Sequence, residues 1–335
     1  MMVGGIGDAI MGLPVVWVLR ERFPGVTVRV LAGPATAELL RGHPGIDEVL
    51  VLPTQPDVLG LLKAVWHLRR TSFDAVVGIR PSSLQSTALL VRLLRVGRAV
   101  KHRRDYDSLR TDWQIWFTDL VAEDPQRHNL QCNIDLLGPL GVDARDTEET
   151  LLARWSRIYL PKEQRAWAHA RYPKPVDRPR IGLHPGCRAD WAFKRWETAK
   201  FIDLAERLHR EKGAQIFILG GPDEREFAQQ LSESMRCPHT NLIGMLKLRE
   251  TAAVIADCDV FVSNDSGLMH LATAVEVPTV GVFSASHPRN DPGRTGPFGK
   301  AHRIVSGDPL AEIPVEKVYA QAIALLGTKL DQDVG

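Results

Sequence analysis

The stretch Asp259–Phe283, DVFVSNDSGLMHLATAVEVPTVGVF, decides how the rest of the chain is interpreted. The apolar run Val260–Val262 predicts a buried strand, and the polar residues 263–267 predict a loop that caps a helix. Helical spacing over Leu268–Val275 is followed by a second predicted strand, Thr279–Phe283. A helix that begins directly after a parallel strand offers free backbone N–H groups to an anion. The stretch therefore predicts either a phosphate-binding loop or an ordinary capped joint.

Length and composition exclude several classes of protein. The chain has 335 residues, of which 44% are hydrophobic and 24% charged, as is typical of a globular protein. A net charge of +2 indicates no nucleic-acid partner, and the apolar runs are too short to span a bilayer. The N-terminus lacks the basic residues and the apolar run of a signal peptide. The four cysteines are widely scattered, which favours reduced thiols, so we expect a cytoplasmic protein.

Strands and helices alternate along the chain, which predicts an α/β protein with parallel sheets. The proline-rich, charged segment 172–179, YPKPVDRP, predicts a linker. It separates an N-terminal domain, residues 1–171, from a C-terminal domain, residues 180–313. A last amphipathic helix, residues 314–330, is expected to cross back to the first domain. Two such domains predict a ligand cleft between them, at the carboxyl ends of parallel strands.

The N-terminal segment Gly4–Asp8, GGIGD, precedes a predicted helix over Ala9–Phe23. Its glycines allow a tight turn and the close approach of a ligand. Asp8 is placed either to cap the helix or to act as a general base at the mouth of the cleft. A strand normally precedes such a turn, yet only Met1–Val3 do so here. We therefore expect either a shortened strand or a recorded start several residues late.

A basic segment follows the first strand of the second half. Residues 184–196, HPGCRADWAFKRW, supply Lys194 and Arg195, which are suited to neutralising phosphates. The alternative is a solvated basic turn before the next helix. We expect Trp196 to pack at the start of that helix rather than to stack on a ligand.

Two other segments have the character of nucleotide-binding loops. The turn 220–224, GGPDE, places Glu224 where it could bind ribose hydroxyls, or where acidic residues simply match the helix dipole. The loop 241–247 presents Met245, either against a purine or as a core residue. His270, five residues after Asp265, either orients the phosphate loop or packs in the core.

These segments together resemble glycosyltransferase family 9, the heptosyltransferases of lipopolysaccharide core synthesis. The family pattern comprises GDxxxxxP, HPG…KRW, GGPxE and DSGxxHLAxAxxxPxVxxF, and these begin here at Gly7, His184, Gly220 and Asp265. The resemblance covers almost the whole chain. It implies a GT-B architecture, in which two Rossmann-like domains face each other across a cleft.

The resemblance also implies an inverting transfer from a nucleotide sugar, typically ADP-heptose. Asp8 would deprotonate the acceptor hydroxyl, and Lys194 with the backbone of Asp265–Leu268 would stabilise the diphosphate in place of a metal. No cofactor or metal is expected, and the Asp265 side chain would shape its loop or bind a sugar hydroxyl. The implied donor-binding residues are Gly186, Arg195, Gly221, Glu224, Met245, Asp265, Ser266, Gly267 and His270.

The acceptor implied by the resemblance is an acidic glycan or glycolipid, such as a Kdo-containing lipid core, reached at the cytoplasmic face of the inner membrane. Its predicted contacts are Gly7, Arg80, Lys101, Arg103 and Arg104. Segment 101–104, KHRR, is predicted to be a basic loop that binds this acceptor or is merely solvated, and the segment at Arg80 departs from the family pattern.

Two other interpretations remain open. One is an epimerase that acts on a nucleotide sugar and needs no acceptor, and the other is an inactive nucleotide-sugar-binding protein.

Overall fold

The structure, a computed structural model, describes residues 1–2, 4–52, 65–66, 68–70, 72–79, 85–94, 96–103, 115–144, 147–187, 189–285 and 291–332. The chain divides into two compact units, Met1–Tyr159 and Leu160–Gly335. Within the described parts, no helix is both long enough and apolar enough to cross a membrane.

Parallel strands form the centre of the first unit. The strands are β1 (Arg29–Ala32), β2 (Glu48–Val51), β3 (Ala75–Gly78), β4 (Arg98–His102) and β5 (Asp119–Val121). They pair as β2-β1 and as β3-β4-β5. The described helices are α1 (Ile6–Arg22), α2 (Pro34–Leu40), α3 (Gln85–Leu94), α4 (Asn129–Asp135) and α5 (Glu149–Trp155).

Met1 and Met2 join these two groups of strands. Met2 forms a parallel bridge with Ala32, and the Met1 amino group donates to the Val77 carbonyl at 2.6 Å. The backbone N–H of Ile79 donates back to the Met1 carbonyl at 3.0 Å. Met1 and Met2 thus lie between β1 and β3, at the place where a strand is expected before the glycine-rich turn. Burial of the Met1 amino group lowers its pKa to about 5.

The second unit is built on one six-stranded parallel sheet. Its strands are β6 (Arg180–His184), β7 (Gln215–Ile218), β8 (His239–Asn241), β9 (Val260–Asn264), β10 (Thr279–Ser284) and β11 (His302–Gly307), in the order β11-β10-β9-β6-β7-β8. The helices are α6 (Lys162–Arg171), α7 (Thr198–Lys212), α8 (Arg225–Ser234), α9 (Leu248–Ala256), α10 (Gly267–Ala274), α11 (Pro292–Thr295) and α12 (Val315–Gln332). The direction of winding reverses between β6 and β9, which opens a crevice at their carboxyl ends.

The last helix packs on the second unit. Val318, Ala322 and Leu325 of α12 are buried in the same apolar cluster as Val280 and Val282 of β10. Its apolar stripe covers the sheet from which the chain has just emerged, because burial there removes these side chains from water. The crossing of this helix to the first domain stays a prediction.

The boundary between the units lies before the predicted linker. The carbonyl of Tyr172 accepts a hydrogen bond from Arg180 Nη2 at 2.6 Å, and Lys174 Nζ donates to Asp259 Oδ1 at 2.7 Å. The Tyr172 ring also lies edge-on against Phe217, with centroids 5.7 Å apart. The segment predicted as a linker is therefore fixed to the second unit, as is α6, which packs against α9.

Candidate active site

The crevice at the carboxyl ends of β6 and β9 contains residues 263–267, which the sequence predicts as a loop that caps a helix. His184 is the last residue of β6 and Asn264 the last of β9. Ser266 caps α10, and its Oγ accepts from the Met269 backbone N–H at 3.3 Å. The predicted order of strand, polar loop and capped helix is confirmed, and the N-terminus of α10 opens at the point where the sheet changes winding.

His184 connects two loops across this crevice. Its Nδ1 lies 2.8 Å from Ser266 Oγ, and its Nε2 lies 3.1 Å from Glu224 Oε2. Glu224 also accepts from the Gly221 N–H at 2.8 Å. Burial alone would raise the pKa of Glu224, but the charge and hydrogen bond of His184, with the Gly221 N–H, hold it below its ordinary value. Glu224 is therefore a fixed, ionised carboxylate at neutral pH.

Two glycines make room for this carboxylate. A Cβ atom on Gly186 would overlap Glu224 Oε1 and lie 2.9 Å from Oε2. A Cβ atom on Gly220 would overlap Oε2 and lie 3.0 Å from Ile243. Since the Glu224 side chain lies directly against both stretches of backbone, the glycines of the HPG and GGP motifs are needed for close approach.

Lys194 and Asp265 form a buried ion pair beside the same helix. Lys194 Nζ donates to Asp265 Oδ2 and lies 4.2 Å from the centre of the Trp191 ring. Burial raises the pKa of Asp265, and Lys194 opposes that rise. Burial also lowers the pKa of His270 to about 4, with a smaller effect from Lys194, so its imidazole is neutral at pH 7.

Asn264 fixes the loop that carries Lys194. Its side-chain amide donates to the Pro185 carbonyl at 2.8 Å, and its Oδ1 accepts from the Trp196 backbone N–H at 3.0 Å. Trp196 is fully buried, packs edge-on against Phe201 and donates from Nε1 to the Ile313 carbonyl at 3.0 Å. The expected packing role of Trp196 is thus confirmed.

Two other residues predicted to bind the nucleotide-sugar donor are less buried than Lys194 and Glu224. Arg195 donates from Nη2 to the Cys187 carbonyl at 2.7 Å, which closes the turn before α7. Met245 is 70% exposed, so its interpretation as a core residue is wrong. Its loop is held by Arg225, which donates to the Gly244 carbonyl at 2.6 Å.

The predicted acceptor residues belong to the first unit. Asp8 lies in the first turn of α1, and its Oδ2 accepts from the Gly5 N–H at 2.9 Å, which confirms its capping role. Gly7 is buried in the same turn. Arg80 and Arg104 lie outside the described residues. The action of Asp8 as a base stays a prediction.

The predicted basic loop is wrong for Lys101 and His102. Both are buried in β4, where they pair with Leu120 and Val121 of β5. The Lys101 ammonium lies 5.3 Å from the centre of the Phe117 ring. The pairing of β4 with β5 outweighs the preference of the Lys101 and His102 side chains for water. Arg103, which follows β4, is exposed.

Three residues at the site were not predicted to have a role there. His184, Asn264 and Trp191 hold Glu224, the 185–196 loop and Lys194 respectively. The signal for the first two was present, because each is a polar residue that ends a fully buried strand. Within the described residues, no group of His, Cys, Asp and Glu side chains is arranged to hold a metal ion.

Two parallel α/β units in succession, the second with a capped helix at the switch point of its sheet, define the GT-B class of fold. Residues 61–319 match the profile of glycosyltransferase family 9 (heptosyltransferase), and the chain belongs to that family.

Named relatives agree with this assignment. The chain is 28% identical to lipopolysaccharide heptosyltransferase 3 of Escherichia coli over 293 residues, or 84% of this chain and 81% of the relative. Among solved structures, it resembles the E. coli ADP-heptose lps heptosyltransferase II with a TM-score of 0.79 and 22% identity, over 97% of both chains. It also resembles the E. coli heptosyltransferase WaaC with ADP, with a TM-score of 0.72 and 21% identity over 97% of this chain and 98% of that one. The two structural likenesses show the fold.

Proposed function

We propose that this protein is an inverting glycosyltransferase that moves a heptose from ADP-heptose to a hydroxyl of the lipopolysaccharide inner core. Membership of a heptosyltransferase family supports the transfer. The named relative acts on lipopolysaccharide; of the solved relatives, one is an ADP-heptose heptosyltransferase and the other is a heptosyltransferase with ADP. The observation that carries the proposal is the buried cluster at the start of α10, where a cation, a fixed carboxylate and a capped helix N-terminus meet.

The donor is proposed to lie along this cluster. Its diphosphate would accept from the first N–H groups of α10 and from Lys194, since a helix N-terminus and an ammonium both favour an anion. Glu224, held by His184, would accept from the ribose hydroxyls. The exposed Met245 would lie against the adenine.

Asp265 acts through Lys194 in this proposal. A buried carboxylate would repel a diphosphate, and the ion pair shows that Asp265 faces the ammonium. Asp265 would therefore position Lys194 and accept from a sugar hydroxyl. The neutral His270 adds no charge of its own to the loop.

The transfer is proposed to proceed in one displacement. The acceptor oxygen attacks the anomeric carbon while Asp8 takes its proton, and the bond from that carbon to the diphosphate oxygen breaks on the opposite face. ADP leaves as an anion, so it needs cations and N–H donors rather than an acid. Lys194 and the N-terminus of α10 supply these without a metal.

The acceptor is proposed to be an acidic glycolipid reached from the cytoplasmic face of the inner membrane. The proposed contacts are Gly7, Arg80, Lys101, Arg103 and Arg104. Of the described ones, the exposed Arg103 is best placed to meet an anionic sugar, whereas the side chain of Lys101 is buried in β4.

A product assay tests the function. The protein is incubated with ADP-heptose and a heptose-deficient inner-core glycolipid, and mass spectrometry of the acceptor is expected to show one added heptose. Nuclear magnetic resonance is expected to show an anomeric configuration opposite to that of the donor. Calorimetry is expected to show tighter binding of ADP than of UDP. An altered donor sugar formed without any acceptor would instead establish the epimerase interpretation.

A further inference from the structure

Positive charge is concentrated in one part of the first unit. Between Val58 and Arg104 the sequence has ten lysines and arginines and a single acid, Asp74, although the whole chain has a net charge of only +2. Such a local excess creates a field that attracts an anionic surface. The proposed acceptor contacts include a few of these residues but leave others without a role.

Some of the remaining charges lie on two helical segments with a common apolar side. Val65 and Leu68 pack in one cluster with Leu90 of α3. The neighbouring side chains on these segments face outward, and we call them the basic face. They are Trp66, Arg69, Arg70, Leu89 and Arg92, all of them exposed.

The chemistry of the basic face fits the surface of a membrane. Trp66 is 60% exposed and Leu89 is 37% exposed, so two large apolar side chains stand among the arginines. The Arg70 guanidinium lies 3.4 Å from the centre of the Trp66 ring. Tryptophan prefers the boundary between lipid headgroups and acyl chains, and arginine pairs with anionic headgroups while its stem stays apolar.

We propose that the basic face docks this protein onto a bilayer rich in anionic phospholipids. Trp66 and Leu89 enter the headgroup region while Arg69, Arg70 and Arg92 pair with lipid phosphates. The docking rests on the proposed function in one respect: a glycolipid acceptor is held in a bilayer, which gives the enzyme a reason to bind one. Lipid binding itself needs neither donor nor acceptor, so it is measured separately from transfer.

Vesicle flotation with the full chain tests this proposal. Vesicles of phosphatidylcholine alone are compared with vesicles in which about one third of the lipid is phosphatidylglycerol, an anionic fraction that attracts basic residues. The protein is expected to float with the anionic vesicles only. The Arg69→Gln/Arg70→Gln/Arg92→Gln variant should lose roughly fivefold in partitioning for each arginine, or about a hundredfold in total.

A matched variant controls for net charge. Arg165, Arg178 and Arg210 are exposed arginines of the second unit and do not belong to the basic face. Replacing all three with glutamine should leave flotation within about twofold of the parent, because only basic residues near the lipid surface are attracted to it. Trp66→Ala should weaken binding without changing its dependence on salt, whereas the triple arginine variant should flatten that dependence. Calorimetric binding of ADP, expected to be equal in all variants, shows that each is folded.

Three results would overturn the proposal. The first is equal flotation of the two triple variants, and the second is equal flotation with neutral and anionic vesicles. The third is flotation only with vesicles that carry the inner-core glycolipid, which would make the basic face part of the acceptor site. If the protein floats with anionic vesicles but transfers no heptose in the product assay, the proposed function is wrong and the docking proposal stands.

Discussion

The substitution Gly186→Ala probes the packing on which the donor site depends. The added Cβ would overlap the carboxylate of Glu224, which is otherwise held by His184 Nε2 at 3.1 Å and by the Gly221 N–H at 2.8 Å. The carboxylate must turn away and lose both contacts. Hydrogen bonds that involve a charged group contribute about 1.5–3 kcal/mol each, and part of that is recovered when Glu224 meets water. We expect a net loss of about 2–3 kcal/mol of stability.

Two measurements check that magnitude. Thermal unfolding of the variant is expected roughly 5–10 °C below that of the parent, from the usual conversion for units of this size. If Glu224 binds the ribose, calorimetry should also show ADP binding weakened by about 10- to 100-fold. The control is Gly327→Ala, since a Cβ at Gly327 meets no atom within 4 Å.

A double-mutant cycle isolates the cause. In a Glu224→Ala background the carboxylate is gone, so adding Gly186→Ala should cost less than about 0.5 kcal/mol. An equal cost in both backgrounds would show that Gly186 matters for some reason other than Glu224. An unchanged melting temperature and ADP affinity in the single variant would refute the packing itself.

Three further predictions concern titratable side chains. Asp8→Asn should lower the transfer rate by about 10²- to 10⁴-fold while ADP binding stays unchanged; a normal rate in the product assay would remove Asp8 as the base. Lys194→Gln leaves the buried Asp265 without its cation, so the pKa of that carboxyl rises further. Because a raised carboxyl pKa costs stability as pH rises, urea unfolding should show a larger deficit at pH 8 than at pH 5, and equal deficits would contradict this. The pKa of His270, lowered to about 4, costs the parent roughly 3 kcal/mol as pH falls from about 6.5 to 4; His270→Gln should flatten that part of the stability curve, and an unchanged slope would contradict the burial argument.

The central strands of the second unit were predictable because they are buried on both faces. Strand β6, Arg180–His184, is the first predicted strand of the second half, and every residue in it is buried. Helix α7 ends at Gly213, whose φ of 63° is the left-handed conformation expected of a stop signal. Short apolar runs and glycine stops report such elements directly.

The edge strands were missed because they carry little apolar signal. Strands β8 and β5 each have three residues at the edge of a sheet and bury few side chains. Helix α6, KEQRAWAHAR, likewise buries only Ala168 among its own residues. Partners in the fold, rather than local sequence, define these elements.

The site was predicted as a set of motifs but not as a network. The positions of Lys194 and Glu224 follow from their loops, whereas the link from Glu224 through His184 to Ser266 joins three separate strand ends. Such a link depends on strand order, which spacing along the sequence does not determine. The role of Asn264 was not predicted for the same reason, since its partners Pro185 and Trp196 lie 79 and 68 residues earlier in the chain.

The segment before β6, residues 172–179, determines where a stable recombinant fragment of the second unit can begin. Arg180 is completely buried, with Nη1 2.9 Å from Asp257 and Nη2 2.6 Å from the Tyr172 carbonyl. A recombinant fragment that begins at Arg180 would discard Tyr172 and Lys174, exposing a cation that the fold keeps from water. A fragment that begins at Leu160 retains these contacts together with α6. Protease digestion of the whole protein should accordingly spare residues 172–179, despite their linker-like composition.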